Sequence, residues 1–180
     1  MVLDSDLQKE AERWFGEALE RPISDEQFKA IGQVVVRFNR LEHALQIFIW
    51  LLLGVKFDVG EIITSGLSFR NLLDIFSSLC RHLIDDPNVI EKLRELCKQL
   101  GEVEQKRNQL IHSQWWGNLS EVVVRYKTTA RARKGRKTQF EFIEDEYWTR
   151  FFSLVDTVEK DLIKFHKDHL ESIWLAKLES

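Results

Sequence analysis

The chain has little of what interrupts or staples a fold. With two prolines and eight glycines in 180 residues, long stretches are free to be helical, and a collagen-like or low-complexity chain is excluded. Two cysteines, Cys80 and Cys97, seventeen positions apart and in no paired motif, exclude a disulfide framework and a cysteine-based zinc site. They read as reduced core residues of a cytoplasmic protein. The longest apolar run, Ile47 to Leu53, is far short of the ~18 to 20 residues that cross a bilayer, so no membrane partner is expected. The start, Met-Val-Leu-Asp-Ser-Asp, has no signal-peptide pattern. A phosphate-cradling glycine loop and a serine nucleophile elbow are both lacking.

What is present suits an ordered domain with a real core: 44% of residues are apolar and 31% charged. The net charge of −3 hides an asymmetry. Between Val122 and Thr138 lie Arg125, Lys127, Arg131, Arg133, Lys134, Arg136 and Lys137, with no acid. The rest of the chain is left with 19 basic against 29 acidic residues. A basic protrusion on an acidic body is the pattern of a phosphate contact; its bland counterpart is a solvated hairpin tip.

Apolar periodicity predicts the elements. Asp4 to Leu19 reads as a first helix, ended by the connection at Pro22. Ser24-Asp-Glu-Gln27 is a capping box opening a long helix to Leu53, stopped by Gly54. Phe57 to Gly66 is ambiguous, with a short helical turn as one reading. Ser68 to Ile84 has a clean helical period. Asp86-Pro87 gives an N-cap and first-turn proline to a helix reaching about Ser113. The period then changes: Val122, Val123, Val124, Tyr126, Phe140 and Phe142 are β-formers around a turn at Lys134-Gly135. Asp145 to Lys177 returns to helix. The expectation is an all-α, up-and-down helical bundle of about five helices. One domain, 1–180, would carry a basic β-hairpin insertion at about 119–143.

Two polar residues sit where apolar ones belong. At 100° per residue, Arg107 falls inside the apolar stripe of Leu93, Leu96, Leu100, Val103, Leu110 and Ile111. Glu104, Asn108 and His112, each four apart, line one flank. On the long helix, Glu42 falls within the stripe of Phe28, Ile31, Val35, Phe38, Leu45, Ile49 and Leu52. Opposite charges on two core-facing helices imply that Glu42 and Arg107 approach each other, which orients the arginine more than it stabilises the fold. Without a chemical role, the same pair would simply hold helix register, or Arg107 would snorkel to water. His112 alone would be a helix-end histidine favoured by the macrodipole. Arg37 and His43 make a second match to the Arg–His spacing, but Arg37 is predicted opposite its helix's apolar stripe. His166 and His169 form a pair at i, i+3 that lacks a third metal ligand and reads as half-buried packing. Trp115 and Trp116 have the chemistry to stack a base; more often such residues cap a core.

Arg107-Asn108-Gln-Leu-Ile-His112 resembles the Arg-Asn-x-x-x-His signature of HEPN domains, and Phe38-Asn-Arg-Leu-Glu42-His-Ala-Leu45 is similar to an early helix of several such families. The resemblance spans roughly Ser24 to Ser113 and the final helix. It implies a metal-independent endoribonuclease, often a toxin or defence effector, cleaving by attack of the 2′-hydroxyl. Arg107 and His112 would be catalytic, Asn108 orienting, and Glu42 and Glu104 supporting. RNA would be held by Arg125, Lys127, Arg131, Arg133, Lys134, Arg136, Lys137 and Trp115. No cofactor and no metal would be needed. The partners implied are RNA, a second copy whose motif faces the same cleft, and an antitoxin or regulatory protein. The alternatives are a non-catalytic module binding RNA, nucleotide or protein, and a helical scaffold for oligomerisation.

Overall fold

The computed structural model describes residues 23–116, 123–131 and 135–178, with side chains over 23–115 and 143–176. The expected helix at Asp4 to Leu19 lies outside the described residues. The architecture is a helical bundle with an antiparallel sheet inserted late in the chain. Six helices are described: α1 (Asp25–Leu53), α2 (Phe57–Thr64), α3 (Phe69–Leu83), α4 (Pro87–Ile111), α5 (Asp145–His169) and α6 (Glu171–Leu178).

The helix boundaries follow from local chemistry. At α1, the Ser24 N–H donates to Gln27 Oε1 at 2.9 Å and the Gln27 N–H to Ser24 Oγ at 3.4 Å, so the capping box closes both ways. Gly54, at φ 68°, supplies the left-handed residue that ends the helix. Ser68 Oγ accepts from the Asn71 N–H at 3.2 Å and caps α3, while Asp86 Oδ1 accepts from the Asn88 N–H at 2.8 Å at the start of α4. The final helical stretch is two helices, broken at Leu170, where the sequence reads as one. The apolar period continues across the break, and Leu170 is itself fully buried, so periodicity could not reveal it.

The chain divides into two compact units, 34–108 with 150–180, and 1–33 with 109–149. In the first, the core is built from Val34, Phe38, Leu41, Leu45, Ile49 and Leu52 of α1, Leu72, Phe76 and Cys80 of α3, Leu93, Leu100 and Val103 of α4, and Val155, Val158 and Leu162 of α5. Ring pairs knit the helices: Phe38 with Phe69 at 4.7 Å, Phe76 with Phe165 at 6.5 Å, and Phe48 stacked on His166 at 4.2 Å. Burial pushes the Cys80 thiol up to about 12, with Cys97 adding to the shift, so it is an inert core thiol. Short α2 is pinned to α1 by Trp50, whose indole N–H donates to Thr64 Oγ1 at 3.1 Å.

In the second unit the sheet has the order β1 (Gln114–Trp116), β2 (Val123–Arg131) and β3 (Gly135–Ile143), antiparallel throughout. The hairpin is the one expected from the sequence. The edge strand β1 is not, since three residues carry no readable period. Register places Arg125, Lys127, Arg131 and Lys137 on one face of the ribbon, and Arg136 on the other. Arg133 and Lys134 lie outside the described residues.

Candidate functional site

Arg107 lies on the core-facing side of α4, as its helical phase requires, and is half-buried. Its guanidinium sits over the Phe38 ring, 4.9 Å from Cζ to the ring centroid, and Nη1 donates to Asn108 Oδ1 at 2.9 Å. The Nε–H is buried and has no hydrogen-bond partner. A ring below and an amide beside hold the head in one orientation without adding a negative charge. Asn108 thus bonds the arginine head directly.

The expected Glu42–Arg107 approach does not take the form of a direct ion pair. Among the described residues no ion pair joins them. The reason is helical phase. The buried stripe of α1 runs through Val34, Phe38, Leu41, Leu45, Ile49 and Leu52. Relative to Leu45, Glu42 stands about 60° away, at the stripe's edge and half-buried. Phe28, counted in the predicted stripe, is 58% exposed. Including it shifted the stripe's centre toward Glu42.

Glu42 and Arg107 instead meet in their effect on Glu104. Burial raises the Glu104 carboxyl above its ordinary value. The charges of Arg70 and Arg107 oppose that rise, while Asp74 and Glu42 add to it. Arg70 is a site residue that periodicity does not find. It ion-pairs with Asp74 one turn on, at 3.5 Å, both well exposed. The only signal in the sequence was that i, i+4 spacing.

Arg107 and Asn108 belong to one compact unit and His112 to the other. His112 is exposed and stands one residue beyond the last helical residue of α4, in a turn. In its unit, the Trp115 indole N–H donates to the Leu110 carbonyl at 2.9 Å, and its ring stacks on buried Trp148 at 5.7 Å. Trp115, expected as a base-stacking residue, thus has a packing role on one ring face while staying half-exposed. Ser113 Oγ donates to the Gln109 carbonyl and closes the helix end.

The second Arg–His match separates cleanly. Arg37 bonds Asp156 at 2.5 Å and lies 4.7 Å from the Phe152 ring centroid, while exposed His43 approaches Gln46 Oε1 at 3.4 Å. His166 and His169 pack on rings, Phe48 at 4.2 Å and Phe165 at 5.2 Å. Burial lowers the His166 pKa, with Glu171 opposing the shift. A groove of about 320 Å³ lies between Lys92, Glu95 and Gln99 of α4 and Asp161, Lys164 and His169 of α5, and Arg107 does not line it. Among the described residues no helix is long and apolar enough to cross a membrane. No protein-family model, no curated protein and no solved structure matches the chain.

Proposed function

We propose that the chain is a HEPN-type endoribonuclease that cleaves RNA without a metal. The observation that supports this most is the state of Arg107: a fixed guanidinium, one donor buried and unpartnered, with no carboxylate paired to it. A guanidinium with an unbonded buried donor and no ion pair, acted on by Glu104 only through longer-range charge, is suited to an anion that arrives from outside, and its fork matches phosphate oxygens. In the reaction, the ribose 2′-oxygen attacks the adjacent phosphorus and gives up its proton to a base. The bond from phosphorus to the 5′-oxygen breaks, and that oxygen takes a proton from an acid. Arg107 stabilises the added charge on the phosphorane, and His112 moves a proton near neutral pH. One chain supplies one such histidine, so a second copy supplies the other proton-transfer group. The resemblance extends to a toxin or defence role and to an antitoxin or regulatory partner.

The basic strands would carry the substrate's backbone. Replacing Arg125, Lys127, Arg131, Arg133, Lys134, Arg136 and Lys137 with glutamine is expected to weaken RNA binding and to flatten its dependence on salt, because fewer counterions are released. Filter binding across a salt series checks this; an unchanged slope makes the ribbon a solvated tip. If the wild type binds RNA but never cuts it, the chain is a binding module of the same family type.

A further inference from the structure

The first turn of α3 lies against the Arg107 motif. Phe69, its first residue, packs on Phe38 at 4.7 Å, and the same ring carries the Arg107 guanidinium at 4.9 Å. The next residue, Arg70, is exposed. On α4, Glu104 is the surface neighbour of Arg107, one turn toward the helix start, which is the direction in which a long side chain leans on a helix. Arg70 and Arg107 both act on the half-buried Glu104 carboxyl, Arg70 the more strongly. Yet among the described residues Glu104 makes no hydrogen bond, and neither guanidinium comes within 4.0 Å of its oxygens. Two cations thus share one carboxyl without closing on it. Arg70 pairs with Asp74 at 3.5 Å, but with side chains 64% and 62% exposed that pair is screened by water and holds Arg70 weakly. Arg107 keeps its buried, unbonded Nε–H.

We propose that Arg70 and Arg107 together hold one backbone phosphate of RNA, and that Glu104 is the internal anion with which that phosphate competes. The site rests on the nuclease reading for its ligand, and adds to it a second cation and a competing carboxyl. Two features select a phosphate. Its two non-bridging oxygens diverge, so forks from two different helices can each take one. Arg70 stands in water and Arg107 is half-buried, so the pair spans the path from solvent that the phosphate must enter. The charges around Glu104 fix the sign of the competition. Glu42 of α1 and Asp74 of α3 already favour its protonated form, against Arg70 and Arg107. A phosphate arriving beside it acts in the same sense as those two carboxylates. Binding therefore takes up a proton on Glu104 and weakens as pH rises through the value of that carboxyl.

Binding of a 2′-O-methyl oligoribonucleotide tests this without cleavage, since the nucleophile is blocked. Arg70→Ala is expected to weaken binding about tenfold and to lower the salt slope by about 0.7, the share of one phosphate contact on a single strand. Circular dichroism should be unchanged, because Arg70 is exposed. Arg70→Ala combined with Arg107→Ala should cost less than the product of the two single losses, since both arginines grip one phosphate. Glu104→Gln should bind about threefold tighter than the wild type at pH 7.5, and the two should converge as pH falls toward 4.5. If Glu104 served only the fold, its loss would weaken binding at every pH, and that result overturns the proposal. Arg70→Ala binding like the wild type also overturns it, while leaving Arg107 and the nuclease reading intact. Inorganic phosphate that binds with the same dependence on Arg70 and Glu104, without any binding of the oligonucleotide, overturns it as well and assigns the site to free phosphate. The expected pattern in a wild type that never cuts RNA would leave this site standing and count against the nuclease alone.

Discussion

Arg37 and Arg107 make a matched pair within one compact unit. Each lies over a phenylalanine, at 4.7 and 4.9 Å from the ring centroid, and each begins an Arg–His spacing in the sequence. Their partners differ. Arg37 is neutralised by Asp156, while Arg107 has an amide from Asn108 and a buried Nε–H with nothing to bond. The first arrangement is complete: charge, ring and acceptor are all supplied by the fold. The second is oriented but makes no ion pair, with Glu104 acting on it only through longer-range charge, and its unbonded buried donor is costly to keep unless a ligand supplies an acceptor. The difference teaches that an arginine's role is read from what neutralises it, not from its spacing to a histidine.

The largest expected effect comes from removing the charge at each site. Arg107→Ala should lower the cleavage rate by about 10²-fold or more, the loss of one transition-state charge contact. Arg37→Ala should leave the rate per folded molecule unchanged, and equal losses in single-turnover assays would break the comparison. Asn108→Ala comes next. Without its amide the Arg107 head is less fixed, and a rate loss of about tenfold is expected, with substrate affinity changing less. Arg37→Ala should instead cost about 1 kcal/mol in urea denaturation, from a partly exposed ion pair and a ring contact. An activity phenotype without that stability loss would reverse the two roles.

Two smaller effects are read from pH. The Glu104 carboxyl is raised by burial, so folding favours its protonated form. Stability from this group is full below its unfolded pKa and is lost as pH rises through the folded value. Glu104→Gln should therefore gain on the wild type in thermal stability as pH rises above 4.5, the group's ordinary value. His166 is shifted the other way, lowered by burial against Phe48. Its contribution is present above the ordinary 6.5 and is lost as pH falls through the folded value. His166→Phe should flatten that acid limb, and a melting series from pH 7.5 to 4.5 would show whether it does.

Much of the fold was legible because caps and stops are local chemistry. Ser24-Gln27, Gly54, Ser68 and Asp86 mark helix ends with their own side chains or backbone, and the structure keeps them there. The phase of Arg107 was legible for the same reason, since one helix fixes it. The Glu42 contact was not, because it depends on the phases of two helices at once, and one exposed residue, Phe28, was enough to shift the α1 stripe. The short helix α2 was ambiguous because its apolar residues face outward, leaving no inward period to count. The break at Leu170 was hidden because burial continues through it. Phe38 was assigned only to the core, since a sequence does not show that a ring also carries a guanidinium.

The central claim is that the Arg107 motif, and not its Arg37 counterpart, carries RNA chemistry. The most direct test is end analysis of RNA treated with wild type, Arg107→Ala, His112→Ala, Arg37→Ala and His43→Ala in the presence of EDTA. The account predicts 2′,3′-cyclic phosphate and 5′-hydroxyl ends from the wild type, Arg37→Ala and His43→Ala, and no products from Arg107→Ala or His112→Ala. Uncut RNA with the wild type, cutting only after divalent metal is added, or undiminished cutting by His112→Ala would contradict it.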